Sequence, residues 1–253
     1  MEIGVQFYTL REHCQNLEDF ALSLKKVAEI GYKTVQISGV CEYDAEWLAN
    51  ELEKNGLRCV ITHFSPDEIK NNTKGTIDFH NTFGCKNIGL GCLPGAKFDD
   101  EHLDAFIKEF PEPAKIIAES GSKLFYHNHD HEFYKREDGS TLLEKILEAF
   151  PKEYLGITFD TFWAEYAGEN VCDTIDSLAG RLECVHLKDM AIVDGEKRMA
   201  PVGHGVMDFE KIIAHLEKAG AKYLLVEQDH CYGEDPFDCL KKSYDYLKSL
   251  GLN

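Results

Sequence analysis

Positive charge is scarce in this 253-residue chain: 27 lysines and arginines face 45 aspartates and glutamates, for a formal charge of −18. That excess repels nucleic-acid phosphates and anionic membrane surfaces, so neither is expected as a partner. Long apolar runs are also missing. None approaches the roughly 18 residues that a membrane span requires, and the opening Met1–Tyr8 is already acidic and strand-like rather than a targeting leader. A soluble, cytoplasmic protein is expected. The nine cysteines contain no Cys-x-x-Cys pair, which argues against a zinc ribbon or a redox dithiol. They read as small hydrophobes of a reducing compartment. Nor does a glycine-rich phosphate loop follow the first apolar run, where Gly4-Val5-Gln6-Phe7-Tyr8-Thr9 stands instead. A doubly wound dinucleotide-binding sheet is therefore disfavoured.

What the chain does contain is a repeated phrase. Short runs rich in β-branched and aromatic residues predict strands at Ile3–Tyr8, Thr34–Ser38, Arg58–His63, Asn87–Leu90, Lys123–His127, Leu155–Asp160, Leu182–His186 and Tyr223–Gln228. Amphipathic patterns between them predict helices at Leu17–Ile30, Ala45–Asn55, Glu101–Ser120, Thr141–Phe150, Phe209–Ala219 and Phe237–Leu250, with weaker ones at 68–83 and 170–180. Several helices close on glycine, at Gly31, Gly56, Gly121 and Gly220, where the chain turns through positive φ. Eight strand–helix units fill the chain with no linker left over. The expected fold is a single (β/α)8 TIM barrel over residues 1–253.

A TIM barrel carries its chemistry at the C-terminal ends of its strands. Those ends hold Gln6, Gln36, His63, His127, His129, Asp160, His186, Lys188, Glu227 and Asp229. Ionisable groups ending apolar strands are costly to bury unless paired, and a divalent cation would pair with several at once. Carboxylate oxygens with a histidine nitrogen favour Mn²⁺ or Mg²⁺ and are compatible with Co²⁺ or Zn²⁺. Structural roles compete with this reading. Asp160 could cap the following helix, His186 could be a hydrogen-bonded core histidine, and Glu227 could form an ion pair with Lys188. His127 and His129 alternate along one strand face, so both can look into the site, while His131 is expected to face solvent. His63 and His204, the latter in Pro201-Val-Gly-His-Gly205, are candidate substrate contacts. Trp163 suits stacking against a sugar face, and Lys188 and Gln6 suit holding substrate oxygens.

The Gln6-Phe-Tyr-Thr-Leu-Arg11 opening, Tyr126-His-Asn-His-Asp-His-Glu-Phe133, Phe159-Asp160, Val185-His-Leu-Lys-Asp189 and Val226-Glu-Gln-Asp229 together resemble the xylose isomerase-like TIM barrel family, in its sugar phosphate isomerase/epimerase branch. The resemblance implies a metal held by Asp160, His186, Glu227 and one residue of the strand-five segment. Where many relatives end strand five with glutamate, this chain has His127, and its nearest carboxylate is Glu132. Of the two, Glu132 is the favoured ligand, because a second carboxylate better neutralises a hard ion. The implied activity is that of a metal-dependent sugar or sugar phosphate isomerase or epimerase in carbohydrate metabolism. The cation acts as Lewis acid, and Glu227 or a strand-five group (Glu132, His127 or His129) moves the proton through an enediolate. A keto-sugar or inosose-type dehydratase is the alternative, followed by a non-catalytic sugar-binding regulatory barrel. An endonuclease on the same barrel would need more ligands and a basic face. The expected partner is a small sugar or polyol, and a homo-oligomer is compatible with the sequence.

Overall fold

Valine, isoleucine, leucine and phenylalanine crowd the short strand runs because those strands are covered on both faces. In the computed structural model, which describes all 253 residues, they form a closed parallel barrel. Numbered in chain order, the strands are β1 (Glu2–Gln6), β2 (Thr34–Ile37), β3 (Arg58–His63), β4 (Asn87–Leu90), β5 (Lys123–His127), β6 (Leu155–Asp160), β7 (Cys184–Leu187), β8 (Asp189–Val193), β9 (Glu196–Ala200) and β10 (Tyr223–Val226). The barrel runs β1-β10-β7-β6-β5-β4-β3-β2, while β8 and β9 pair only with each other. This is the expected (β/α)8 fold.

Strand alternation divides the barrel into two environments. Outward residues such as Val5, Val35, Ile88, Leu124, Ile157, Val185 and Leu224 join one large core with Phe20, Leu24, Ile117, Ile146 and Leu216 of the helices. Each such side chain contributes about 1.5–3 kcal/mol on burial. A separate interior cluster of Val60, Ile61, Phe125, Cys184 and Leu225 plugs the barrel. Its tight packing uses Gly156, where a Cβ would run into the Phe125 ring, and Gly4, where one would meet Thr34 and Leu225. Two residues further along the same strands stand His63, His127, His186 and Glu227. The apolar plug is therefore the floor beneath a polar layer.

Three features differ from the sequence reading. The segment expected as one helix over Glu101–Ser120 is two, Asp100–Glu109 and Pro111–Glu119, because Pro111 has no N–H to continue the first. The 68–83 pattern likewise splits into Pro66–Asn71 and Thr73–Thr82. After β7 the chain makes an unanticipated hairpin, β8–β9. Its turn is Asp194-Gly195, both at positive φ (53° and 82°), a two-residue hairpin signal that was readable in the sequence. All nine cysteines are free, six of them buried.

His80 sits inside the helical layer, with Nε2 2.8 Å from Thr62 Oγ1 and Nδ1 2.7 Å from the Thr76 carbonyl. Burial lowers its pKa to about 4, with the Thr76 hydrogen bond opposing. The folded state thus holds His80 neutral over a range where the unfolded chain, near 6.5, would protonate it. Stability from this group is present above about 6.5 and is lost as pH falls toward about 4. Urea unfolding of His80→Gln between these limits is expected to show a shallower loss of stability than the parent. An equal slope in both proteins would contradict this account.

Candidate active site

Four residues from four strand ends converge on one point. His127 closes β5, Asp160 closes β6, His186 lies in β7 and Glu227 follows β10. One ligand atom from each lies within 4.8 Å of all the others, and all four residues are buried. Register explains the convergence: Asp160 pairs with His186, and His186 with Leu225, two residues before Glu227.

The hydrogen bonds around the two histidines set their chemistry. His127 Nδ1 lies 2.9 Å from the Gly91 carbonyl and must donate to it, so Nε2 is its inward nitrogen. His186 Nε2 lies 2.7 Å from the Gln36 side-chain amide oxygen, so Nδ1 is its inward nitrogen. Those inward nitrogens face carboxylate oxygens: His127 Nε2 is 3.4 Å from Asp160 Oδ2, and His186 Nδ1 is 3.1 Å from Glu227 Oε2. Lone pairs facing carboxylates repel unless a cation or a proton lies between them. Metal sites commonly fix a ligating imidazole by a hydrogen bond from its outer nitrogen, which sets the ring's orientation. His186 Nδ1 and Glu227 Oε2 are also buried without a well-formed hydrogen bond. The donor set therefore fits a divalent metal.

Charge counting leads to the same conclusion. Lys188, itself buried, places Nζ 3.0 Å from Asp160 Oδ2, 2.8 Å from Glu227 Oε2 and 3.1 Å from Asp229 Oδ1. Three carboxylates against one ammonium leave an excess of negative charge, which a bound cation would balance. Burial raises the Asp160 and Glu227 pKa values, but Lys188 and the neighbouring histidines override it and hold both well below the carboxylate range. Asp229, raised by burial and by Glu227, sits at about 6. Burial disfavours the charged form of His186, yet Glu227 and Asp160 raise its pKa. That pull toward positive charge is one a metal would satisfy.

Asp160 fills both roles considered for it. Its Oδ1 accepts from the Phe162 and Trp163 N–H groups and caps the helix Thr161–Ala167, while Oδ2 faces the cluster. The ion pair of Glu227 with Lys188 is likewise present beside the cluster.

The cluster's strand-five member is His127, not Glu132. Glu132, favoured from the sequence as the ligand, turns away: Oε1 accepts the Tyr126 hydroxyl at 2.6 Å and Oε2 the His129 N–H at 2.8 Å. Two donors already satisfy this buried carboxylate, so it holds the loop that carries His129. The His129 ring packs 4.7 Å from His127 and 5.5 Å from Trp163, and burial with His127 lowers its pKa to about 3. The His63 ring lies 5.3 Å from His127 and 5.7 Å from His186. Gln6 donates to Glu227 Oε1 at 2.9 Å. Trp163 lies 5.5 Å from the Lys188 ammonium.

His204 is not brought to this group. It is exposed on the loop Pro201–Gly205 and shares no hydrogen bond or ring contact with the cluster, because Asp189 clamps the flanking Gly203 and Gly205 N–H groups at 2.9 Å each. His131 is exposed, as expected. The residues that the sequence reading left without roles are Gln36, which orients His186, and Asp229, which completes the Lys188 cage. Their strand-end positions were the available signal.

An eight-stranded parallel barrel with a buried histidine–carboxylate cluster at its C-terminal rim is an enzyme-type architecture. The model of the family described as xylose isomerase-like TIM barrel matches residues 24–250, and the chain belongs to that family. Inosose dehydratase of Mesomycoplasma hyopneumoniae (strain 7448) is 24% identical over 91% of this chain and 88% of its own. A sugar phosphate isomerase/epimerase from Parabacteroides distasonis superposes with a TM-score of 0.82 at 20% identity, covering 98% of this chain and 93% of that one. A probable 3-DHS dehydratase from Bacillus anthracis gives 0.69 at 15% identity, covering 98% and 99%.

Titration of metal-free protein with Mn²⁺ or Zn²⁺ is expected to show one tight site per chain. His127→Ala should weaken it by about a hundredfold or more, whereas Glu132→Gln should change it only a few-fold. Comparable losses in both variants would return Glu132 to the ligand set.

Proposed function

We propose that this chain is a metal-dependent enzyme that removes a proton next to a carbonyl of a neutral keto-sugar or keto-polyol, with elimination of water as the favoured outcome. The observation that carries this reading is the convergence of one ligand atom each from His127, Asp160, His186 and Glu227, all buried and within 4.8 Å of one another. His127, Asp160, His186 and Glu227 would hold the ion, which when bound supplies Lewis-acid polarisation of a carbonyl. Two nitrogens and two oxygens suit Mn²⁺, Co²⁺ or Zn²⁺ better than Mg²⁺, which the sequence reading had ranked with Mn²⁺.

The chain's own groups divide the remaining work. Gln36 Nε2, His63 Nε2, His129 Nδ1 and Trp163 Nε1 are all buried without partners around the cluster. Buried polar atoms are costly unless something bonds them, and a ligand rich in hydroxyls would do so. Lys188 presents permanent positive charge to the oxygen that becomes negative. His129 lies outside the ligand set, packs beside His127 and has Nδ1 buried and unpartnered, a position from which it can move the proton. Glu227, which the sequence offers as base alongside the strand-five groups, belongs to the ligand set, with Oε1 accepting from Gln6 and Oε2 ion-paired to Lys188.

The order of the two expected chemistries reverses on one point. An epimerase working from both faces of a carbon needs a proton-transferring carboxylate on each side, and here the strand-five carboxylate is bonded to Tyr126 and His129 instead. The family resemblance to inosose dehydratases supports the lyase outcome.

The test is hydrogen exchange in D₂O with metal-loaded protein and ketose, ketose phosphate and keto-inositol substrates, followed by product analysis. Solvent deuterium at the carbon next to the carbonyl, and an unsaturated or rearranged dehydrated product, are expected. His129→Gln should slow exchange by about a hundredfold while still binding metal. Complete absence of exchange from the metal-loaded protein would refute the enolising reading. An epimer without water loss would restore the isomerase order.

A further inference from the structure

A cavity of about 810 Å³ opens at the barrel mouth between the segments that follow β2 and β3. Its inner wall is His63, whose Nδ1 lies 3.2 Å from Ser38 Oγ and whose ring contacts His127 and His186. His63 thus stands between the cavity, which it lines, and the cluster histidines, against which it packs. Its size falls within the range of small-molecule sites.

The lining has a definite chemistry. Tyr43, Phe64 and Phe79 supply aromatic surface, with Phe79 5.9 Å from Tyr43 and 5.3 Å from Phe64. Ser38 and Ser65 supply hydroxyls. Neither lysine nor arginine lines it; the only charges are those of Glu42 and Asp44. Two helices begin at this rim: Ala45–Asn55, whose N-cap Asp44 makes no side-chain capping bond, and the short Pro66–Asn71, whose N-cap Ser65 already accepts from the Glu68 N–H and whose first turn carries Asp67 and Glu68. Carboxylates thus already stand where an incoming anion would seek either helix N-terminus. Phosphate here would face two like charges and no partner. Aromatic faces beside hydroxyls and carboxylates instead match an uncharged, hydroxyl-bearing ring.

We infer that this cavity binds a second, uncharged ring of the substrate, so that the enzyme acts on a neutral glycoside or disaccharide-sized keto-sugar rather than on a sugar phosphate. This rests on the enolising function proposed above, and it narrows the substrate class that the branch name would imply. The reacting ring lies at the cluster, His63 stands at the junction, and the second ring stacks among Tyr43, Phe64 and Phe79. That second ring is either a sugar or an aromatic aglycone; the two share flatness and lack of charge.

Two measurements test it independently of each other. The first is calorimetric binding of unreactive probes to the metal-loaded protein: glucose, cellobiose, phenyl glucoside and glucose phosphate. Cellobiose or phenyl glucoside should bind about tenfold tighter than glucose, glucose phosphate more weakly than glucose, and the better of the two ring probes identifies the kind of second ring. Tyr43→Ala should cancel the advantage while leaving glucose binding unchanged. Glu42→Lys, on an exposed position, should improve glucose phosphate binding without disturbing the fold. The second is D₂O exchange, comparing a free keto-sugar with its glycoside and its phosphate; the glycoside should exchange with the highest kcat/KM. Tighter glycoside binding without any exchange would keep the cavity assignment and remove the enolising reading. Exchange with no glycoside preference, or with preference for the phosphate, would overturn the cavity assignment alone.

Discussion

Two buried carboxylates and a third, half-buried one beside a single buried ammonium at the rim of a barrel impose the constraint that organises this molecule. Asp160, Glu227 and Asp229 surround Lys188 at 2.8–3.1 Å, and desolvated charge of one sign is not tolerated without balance. The two cluster histidines are each fixed by the outer nitrogen, to Gly91 or Gln36, and direct the other nitrogen inward. The arrangement becomes coherent when a divalent cation occupies the centre. Neighbouring features then acquire reasons: Gln36 orients a ligand, Gln6 holds Glu227, and Asp160 divides its oxygens between a helix cap and the cluster.

The barrel makes this concentration of charge affordable by separating it from the apolar plug by one step of strand periodicity. Ile61, Phe125, Cys184 and Leu225 lie two residues before His63, His127, His186 and Glu227. A rigid floor fixes the strands and hence the relative positions of the four ligand atoms. Glycines at 4 and 156 let Thr34, Leu225 and the Phe125 ring approach the backbone more closely than a Cβ would allow. Rigidity below and loops above also set where specificity can vary. The cluster is held by strand ends, whereas the aromatic cavity is built from segments after β2 and β3, which can change without moving the ligands.

Much of this was legible in the sequence because strand and helix periods are local properties. Six of the eight barrel strands, β2 through β6 and β10, begin where the apolar runs begin, and the glycine stops at 31, 56, 121 and 220 all adopt positive φ. Asp160, His186 and Glu227 could be grouped because strand ends meet in a barrel. The strand-five choice could not be read the same way. Whether Glu132 reaches the cluster depends on a single-turn loop, and the Tyr126 hydroxyl that captures its carboxylate looks in sequence like any core tyrosine. His204 failed for a related reason: Asp189, part of an apparent strand-end motif, spends its carboxylate on the backbone of the very loop that carries His204. Side-chain choices among equally polar partners are decided by tertiary geometry, which no local pattern encodes.

Cobalt makes the central claim directly visible. Co²⁺ added to the metal-free protein should develop the visible absorption of a low-symmetry nitrogen–oxygen site, saturating at one ion per chain. His127→Ala should lose that spectrum, and Glu132→Gln should keep it. A spectrum indistinguishable from aqueous Co²⁺ at saturating protein would contradict the account, and would leave Lys188 as the only cation this cluster accepts.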